Sequence, residues 1–114
     1  MISGAHMILY STNPEADRAF FRDVLEFPLV DAGHGWLIFA LPPAEIAVHP
    51  ADENGRHEIY LMCDDVDATV QALHSHAIGC EPVTDQGWGR LTRITLPGGG
   101  KLGLYQPRHP LAPR

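Results

Sequence analysis

The feature that most constrains the fold of this chain is an internal repeat. Adding 52 to a residue number carries Asn13 to Asp65, Phe21 to Leu73 and Leu25 to Ala77. The first pair are both helix-capping residue types, and the other two fall on apolar positions. Self-similarity at such a period marks tandem structural units. In the first half, "AHMILYST" (5–12) is apolar and rich in strand formers, so it predicts a largely buried strand. Asn13-Pro14-Glu15 then starts a helix, with Asn as cap, Pro in the first turn and Glu at the positive end. That helix is expected to run to about Leu25, with Ala16, Phe20, Phe21, Val24 and Leu25 as its apolar stripe and Pro28 beyond its end. Asp31 to Gly35 reads as a hairpin turn between "FPLV" and "WLIFAL", and "AEIAVHP" is the next strand.

After the polar link "ADENGR" the same order returns. "HEIYLMC" is a strand, Asp65 caps a helix with Val66, Val70, Leu73 and Ala77 as its stripe, and Gly79 is the expected helix stop. "EPVTDQ", "RLTRITL" and "KLGLYQP" are three further strand candidates. The chain therefore reads as one domain over 1–114. Its first module spans about 1–52 and its second about 53–107, followed by an irregular proline-rich tail at 108–114. Neither half can cover its own sheet, so the two must pack together. The expected fold is α+β, with two tandem βαβββ modules forming a curved mixed sheet around a cleft.

Charge and size narrow the function. The formal net charge is −6 with no basic cluster, which argues against nucleic acid as a partner. No apolar run is long enough to span a bilayer, and the opening "MISGAHMILY" lacks the marks of a signal peptide, so no membrane partner is expected. Cys63 and Cys80 have no metal-type spacing and suit a reduced, cytoplasmic protein. A chain of 114 residues leaves appreciable apolar surface exposed, which makes a homodimer the expected assembly.

Two strands share an unusual feature. When Glu45-Ile-Ala-Val-His49 is set against Lys101-Leu-Gly-Leu-Tyr105, the apolar beats coincide and a small residue, Ala47 or Gly103, stands at the centre of each.

With these segments in place, the chain resembles the vicinal oxygen chelate superfamily of glyoxalase I, bleomycin-resistance proteins and extradiol dioxygenases. The resemblance rests on His6 in the first strand, "NPEADRAFFRDVLEF", "DDVDATVQALHSHAIG" and the closing "LPGGGKLGLYQP", and it covers nearly the whole chain. One departure is Glu26, where the family usually has Gly. In metal-using members, four side chains from the first and last strands of the two halves converge on one divalent ion. The resemblance places His6 and Glu58 in the first-strand positions. It places Ala47 and Gly103 in the last-strand positions, where acidic ligands would stand and where neither residue can coordinate through a side chain. A divalent site needs about three protein ligands plus an open position. His6, Glu58 and His49 are the available candidates, and zinc, nickel, iron or manganese the candidate ions.

The cleft is expected to hold a small organic molecule. His6, Tyr10, Glu58, Trp88, Arg93 and Tyr105 are the candidate contacts. Glu58 shares a strand face with Tyr60 and Met62, so burial is expected to raise its carboxyl pKa and suit it as a base. Its bland alternative is a salt bridge or a hydrogen bond to His6 or Arg93. Arg93 could attract an anionic ligand or balance Glu58. Trp88, between glycines in "QGWGR", is a loop aromatic suited to a pocket, and Trp36 reads as core or dimer contact. His34, His57, His74, His76 and His109 read as solvated. Two functions stay open: a metal-independent binder of an aromatic or antibiotic-like compound, or an enzyme of the superfamily, either a lyase or isomerase with Glu58 as base or a metal-dependent dioxygenase.

Overall fold

The computed structural model describes residues 6–113 and has the α+β architecture that the sequence implies. Helix α1 (Pro14–Ala19) runs directly into a π-helical turn over Phe20–Val24, and together they occupy the single helix expected there. A hairpin follows, β1 (Leu29–Asp31) and β2 (Leu37–Phe39), paired antiparallel. The second half contributes β3 (Tyr60–Met62), helix α2 (Val66–Ser75), β4 (Thr84–Asp85), β5 (Gly89–Thr95) and β6 (Lys101–Pro107). These four strands form a mixed sheet in the order β3-β6-β5-β4. β3 runs parallel to β6, and the other pairs are antiparallel.

The repeat is visible in the helix caps. Asn13 Oδ1 accepts the Ala16 N–H at 3.3 Å, and Asp65 Oδ1 accepts the Ala68 N–H at 3.1 Å. At the other end, α2 closes through a Schellman motif. The Ile78 N–H reaches Leu73 O, the Ala77 N–H reaches His74 O, and Ala77 takes the left-handed conformation at φ 61°. Ala77 is thus the stop residue, in place of Gly79. The first helix stops one residue later in the repeat frame, with Glu26 left-handed at φ 56°. The π turn accounts for the extra residue, because its bonds span five residues instead of four, as in Leu25 N–H to Phe20 O.

One core lies between the helices and one face of the four-stranded sheet. It holds Phe20, Val66, Leu73, Ile78, Ile94, Leu96, Leu102 and Leu104. Phe21 joins this core to the first-half hairpin, stacking on Phe27 at 6.0 Å and meeting Phe39 at 5.7 Å. Asp17 is buried beside it, and its Oδ1 accepts the Gly98 N–H at 2.7 Å. A side chain at Gly98 would collide with Asp17 and Ser11, so glycine is required at that close approach. Trp36, expected in the core or at a dimer contact, is exposed, with the Arg18 guanidinium over its ring at 5.4 Å, which rules out the first of those places.

The first half departs from expectation in two places. The sequence implies a buried strand over 5–12 and a further strand over 44–50; the described residues 6–12 and 44–50 form no strand, and both segments expose apolar side chains. Ala5, at the start of the first, lies outside the described residues. The cause is a missing partner. In the second half the equivalent strands, β3 and β6, pair with each other in parallel, whereas none of Met7, Ile8, Leu9, Tyr10, Ile46, Ala47 or Val48 makes a backbone hydrogen bond among the described residues. An extended segment without a ladder is not a strand, however strong its sequence pattern. The tail has no regular structure to residue 113, though it is pinned by Arg108 to Asp85 at 2.6 Å. No helix among the described residues is long and apolar enough to cross a membrane.

Candidate functional site

Alternation along the strands divides the four-stranded sheet into two faces. Thr92, Ile94, Leu102 and Leu104 point into the core. Glu58, Tyr60, Arg93, Lys101 and Gly103 point the other way and, with residues 6–10, line an open cleft of about 690 Å³. Of the expected contacts, His6, Tyr10, Glu58 and Arg93 line this cleft. Tyr105 and Trp88 stand beside it. Tyr105 meets the edge of Tyr60 at 5.7 Å, and Trp88 meets the edge of Tyr105 at 5.4 Å. His109, read from sequence as a solvated tail residue, lies 3.1 Å from the Tyr105 hydroxyl through its Nε2.

Gly103 shapes the floor of the cleft. A Cβ built there would fall 2.3 Å from the Tyr60 ring, so the missing side chain is what lets that ring lie across β6. From this position the Tyr60 hydroxyl donates to Glu58 Oε2 at 2.6 Å, and Arg56 pairs with Glu58 Oε1 at 3.0 Å. The Tyr60 hydrogen bond is the main influence holding the Glu58 carboxyl below its ordinary range, against a smaller opposing effect of burial; Arg56 and Arg93 add to the lowering. The same bond pushes the Tyr60 phenol up. The expectation that burial raises Glu58 is therefore reversed: charge-assisted hydrogen bonding outweighs desolvation for a carboxylate that stays partly exposed.

The residues present do not fit a divalent metal. Gly103 faces the cleft but offers no donor, and Ala47 is exposed on a segment outside the lining. His49 turns its Nδ1 to Pro50 O at 2.7 Å and does not line the cleft, although it is near enough to Glu58 to influence it. Among the described residues, no three His, Cys, Asp or Glu side chains form a group that could hold an ion. Cys63 and Cys80 are free thiols whose pKa values are pushed up by burial, which leaves both poor nucleophiles.

Sequence reasoning did not single out Lys101 and Arg56, two of the cations in the lining. Lys101 was legible: it stands two residues before Gly103 on a strand, so it shares that residue's face. Arg56 lies outside any strand, and no periodicity could have placed it.

No family model matches the sequence, and no curated protein does. Solved structures do. TnmS3, an antibiotic binding protein from Streptomyces sp. CB03234, is 24% identical with a TM-score of 0.65, over 94% of this chain and 99% of that one. A glyoxalase/bleomycin resistance protein from the same organism is 25% identical with a TM-score of 0.58, over 84% of this chain and 93% of that one. Lactoylglutathione lyase from Agrobacterium tumefaciens is 18% identical with a TM-score of 0.62, over 91% and 92%. With its helix-backed mixed sheet and open cleft, the chain has the fold of the vicinal oxygen chelate superfamily, that of the glyoxalase, bleomycin-resistance and dioxygenase proteins.

Proposed function

We propose that this protein binds a small organic molecule in the cleft between residues 6–10 and the β3-β6-β5 face, holds it without a divalent metal, and works as a homodimer. The observation that carries the reading is the floor at Gly103. The position where the fold family would carry an acidic ligand is given over to an aromatic ring, which makes a surface for a flat apolar body. The likeness in fold to an antibiotic binding protein supports the same reading. A lyase or isomerase using Glu58 as base is the weaker alternative. A base poised near neutral pH needs a raised carboxyl pKa, and the Tyr60 and Arg56 contacts act in the opposite direction. The homodimer is supported by the exposed apolar segments 7–10 and 46–48.

Calorimetric titration with a panel of aromatic antibiotics, in EDTA and again with added zinc, nickel, iron or manganese, tests the proposal. Saturable binding that is indifferent to chelator and leaves the compound unchanged is expected. Binding only in the presence of metal, or conversion of the compound, would overturn it.

A further inference from the structure

We propose that the ligand of this cleft carries a carboxylate, held between Arg93 and Lys101, on a flat apolar body that rests against Tyr60. This rests on the reading that the cleft binds a small organic molecule, and adds its charge. Among the described residues, Arg18, Arg22, Arg56, Arg90 and Arg108 each have a carboxylate oxygen at 3.0 Å or nearer. Two cations do not. Arg93 has only Glu81, at 3.9 Å. Lys101 donates to Thr95 Oγ1 at 2.7 Å and has no carboxylate within 4.0 Å among the described residues.

Both under-neutralised cations line the same cleft, on the same sheet face. Arg93 pairs in register with Gly103 and Thr95 with Lys101, so the two are diagonal neighbours on adjacent strands. Such a diagonal spans about 7–8 Å between backbones, within reach of two long side chains converging on one group. Gly103, across from Arg93, has no side chain of its own, and the Tyr60 ring lies over it in the same lining as the two cations. Arg93 shares the cleft lining with Glu58 and Tyr60, and its charge helps hold the Glu58 carboxyl down. Three of the eight Lys and Arg residues of the chain lie in the lining, against a single carboxylate, Glu58. Glu58 is already engaged by Arg56 and Tyr60. In a chain of net charge −6 this positive spot is a local arrangement. A planar guanidinium matches a carboxylate in two parallel hydrogen bonds, and a nearby ammonium adds charge without geometric demand. The same pair repels a cationic ligand, so the arrangement selects as well as attracts.

The test compares three probes of one shape by amide NMR: naphthalene carboxylate, the corresponding carboxamide and the corresponding methylammonium. The carboxylate should shift resonances around Gly103 and bind roughly tenfold or more tighter than the amide, the worth of one charge-assisted contact, with the ammonium weakest. Arg93→Gln combined with Lys101→Gln should bring the carboxylate down to the amide's affinity, and Arg93→Lys should restore part of the difference. The dispersion of the same spectra reports whether each variant is folded. Amide or ammonium binding as tightly as carboxylate would overturn the inference and leave the cleft reading standing, as would a carboxylate preference that survives the double substitution. If none of the three probes moves cleft resonances at millimolar concentration, both fall together.

Discussion

The residue with the widest consequences is Gly103, because it acts through Tyr60. With no side chain at 103 the Tyr60 ring can lie across β6, and only there does its hydroxyl reach Glu58. The two groups shift in opposite directions. Glu58 is held below its ordinary 4.5 and Tyr60 above its ordinary 10.0, each chiefly through the same hydrogen bond. A carboxyl lowered on folding stabilises the fold above its unfolded value, and that contribution is lost as the pH falls through its folded value. A phenol raised on folding contributes below about pH 10 and loses the contribution as the pH rises through its folded value. Glu58→Gln should therefore return the late-titrating Tyr60 towards an ordinary phenol in a spectrophotometric titration, leaving the Tyr105 shift, which burial causes, in place. Gly103→Ala should do the same while keeping the carboxylate, because the methyl group displaces the ring. If Tyr60 titrates unchanged in Gly103→Ala, the ring was never held by that contact. Asp17 is the other residue with a single well-defined task. It is 4% exposed and caps the Gly98 N–H. Asp17→Ala should cost about 1–3 kcal/mol in denaturant unfolding, the penalty for leaving the part-buried Gly98 donor without its partner.

At the scale of elements, the helix stops show how far local sequence can be read. Both N-caps were legible, since Asn13 and Asp65 are strong capping types at matched positions. The end of the first helix, expected at about Leu25, falls at that C-cap, with Glu26 left-handed just beyond it; the stop of the second was not legible, because the left-handed position is filled by Ala77, while Gly79, the residue with the right chemistry, lies two residues beyond. In the second helix the motif closes anyway, because Ile78 and Leu73 both pack in the core and hold the turn against its backbone cost. That cost is recoverable. Glu26→Gly, which restores the residue usual in the resembling family, should stabilise by about 1 kcal/mol and raise the melting temperature by roughly 4 °C. Ala77→Gly should act in the same direction. A fall in either variant would mean that the side chain makes a contact worth more than the strain. The sheet shows the opposite pattern of legibility. β5 and β6 emerge close to their predicted bounds because they pair with each other over their whole length. Residues 6–12 and 44–50 carry equally good strand patterns and do not form strands, since pairing is a property of two segments and the sequence of one cannot report it. The cleft was partly legible for the same reason. Alternation put Glu58 on one strand face with Tyr60, and the resemblance brought Gly103 to the same cleft, but neither gave the hydrogen bond that sets the state of Glu58.

The whole molecule exposes more surface than a chain of its mass should. A compact monomer of 12.5 kDa presents about 6,200 Å², and this chain presents 8641 Å². Its radius of gyration is 15.0 Å, against roughly 13 Å for a compact domain of this length. The surplus has a definite place. Ile46 and Val48 are each 95% exposed, Tyr10 90% and Ile8 62%, on segments whose second-half counterparts pair as β3 and β6. Exposed apolar strands with open backbone groups are the ordinary substrate of strand pairing between chains. A surplus of about 2,400 Å² per chain exceeds the ~800 Å² that each partner buries in a standard interface, and it suits an obligate pair. A second copy meets the need directly, since an isologous contact brings the same two segments of each chain together about one axis. Light scattering behind gel filtration should therefore give twice 12.5 kDa. Ile46→Asp with Val48→Asp should return the mass to that of one chain, since two charges on one exposed apolar segment oppose strand pairing through it. The cleft takes one wall from residues 6–10, so the monomeric variant should also bind its ligand more weakly, even though neither substituted residue lines the cleft. A wild-type chain that runs as a monomer at micromolar concentration, or a double variant that stays dimeric, would show that the exposed segments serve something other than a second copy.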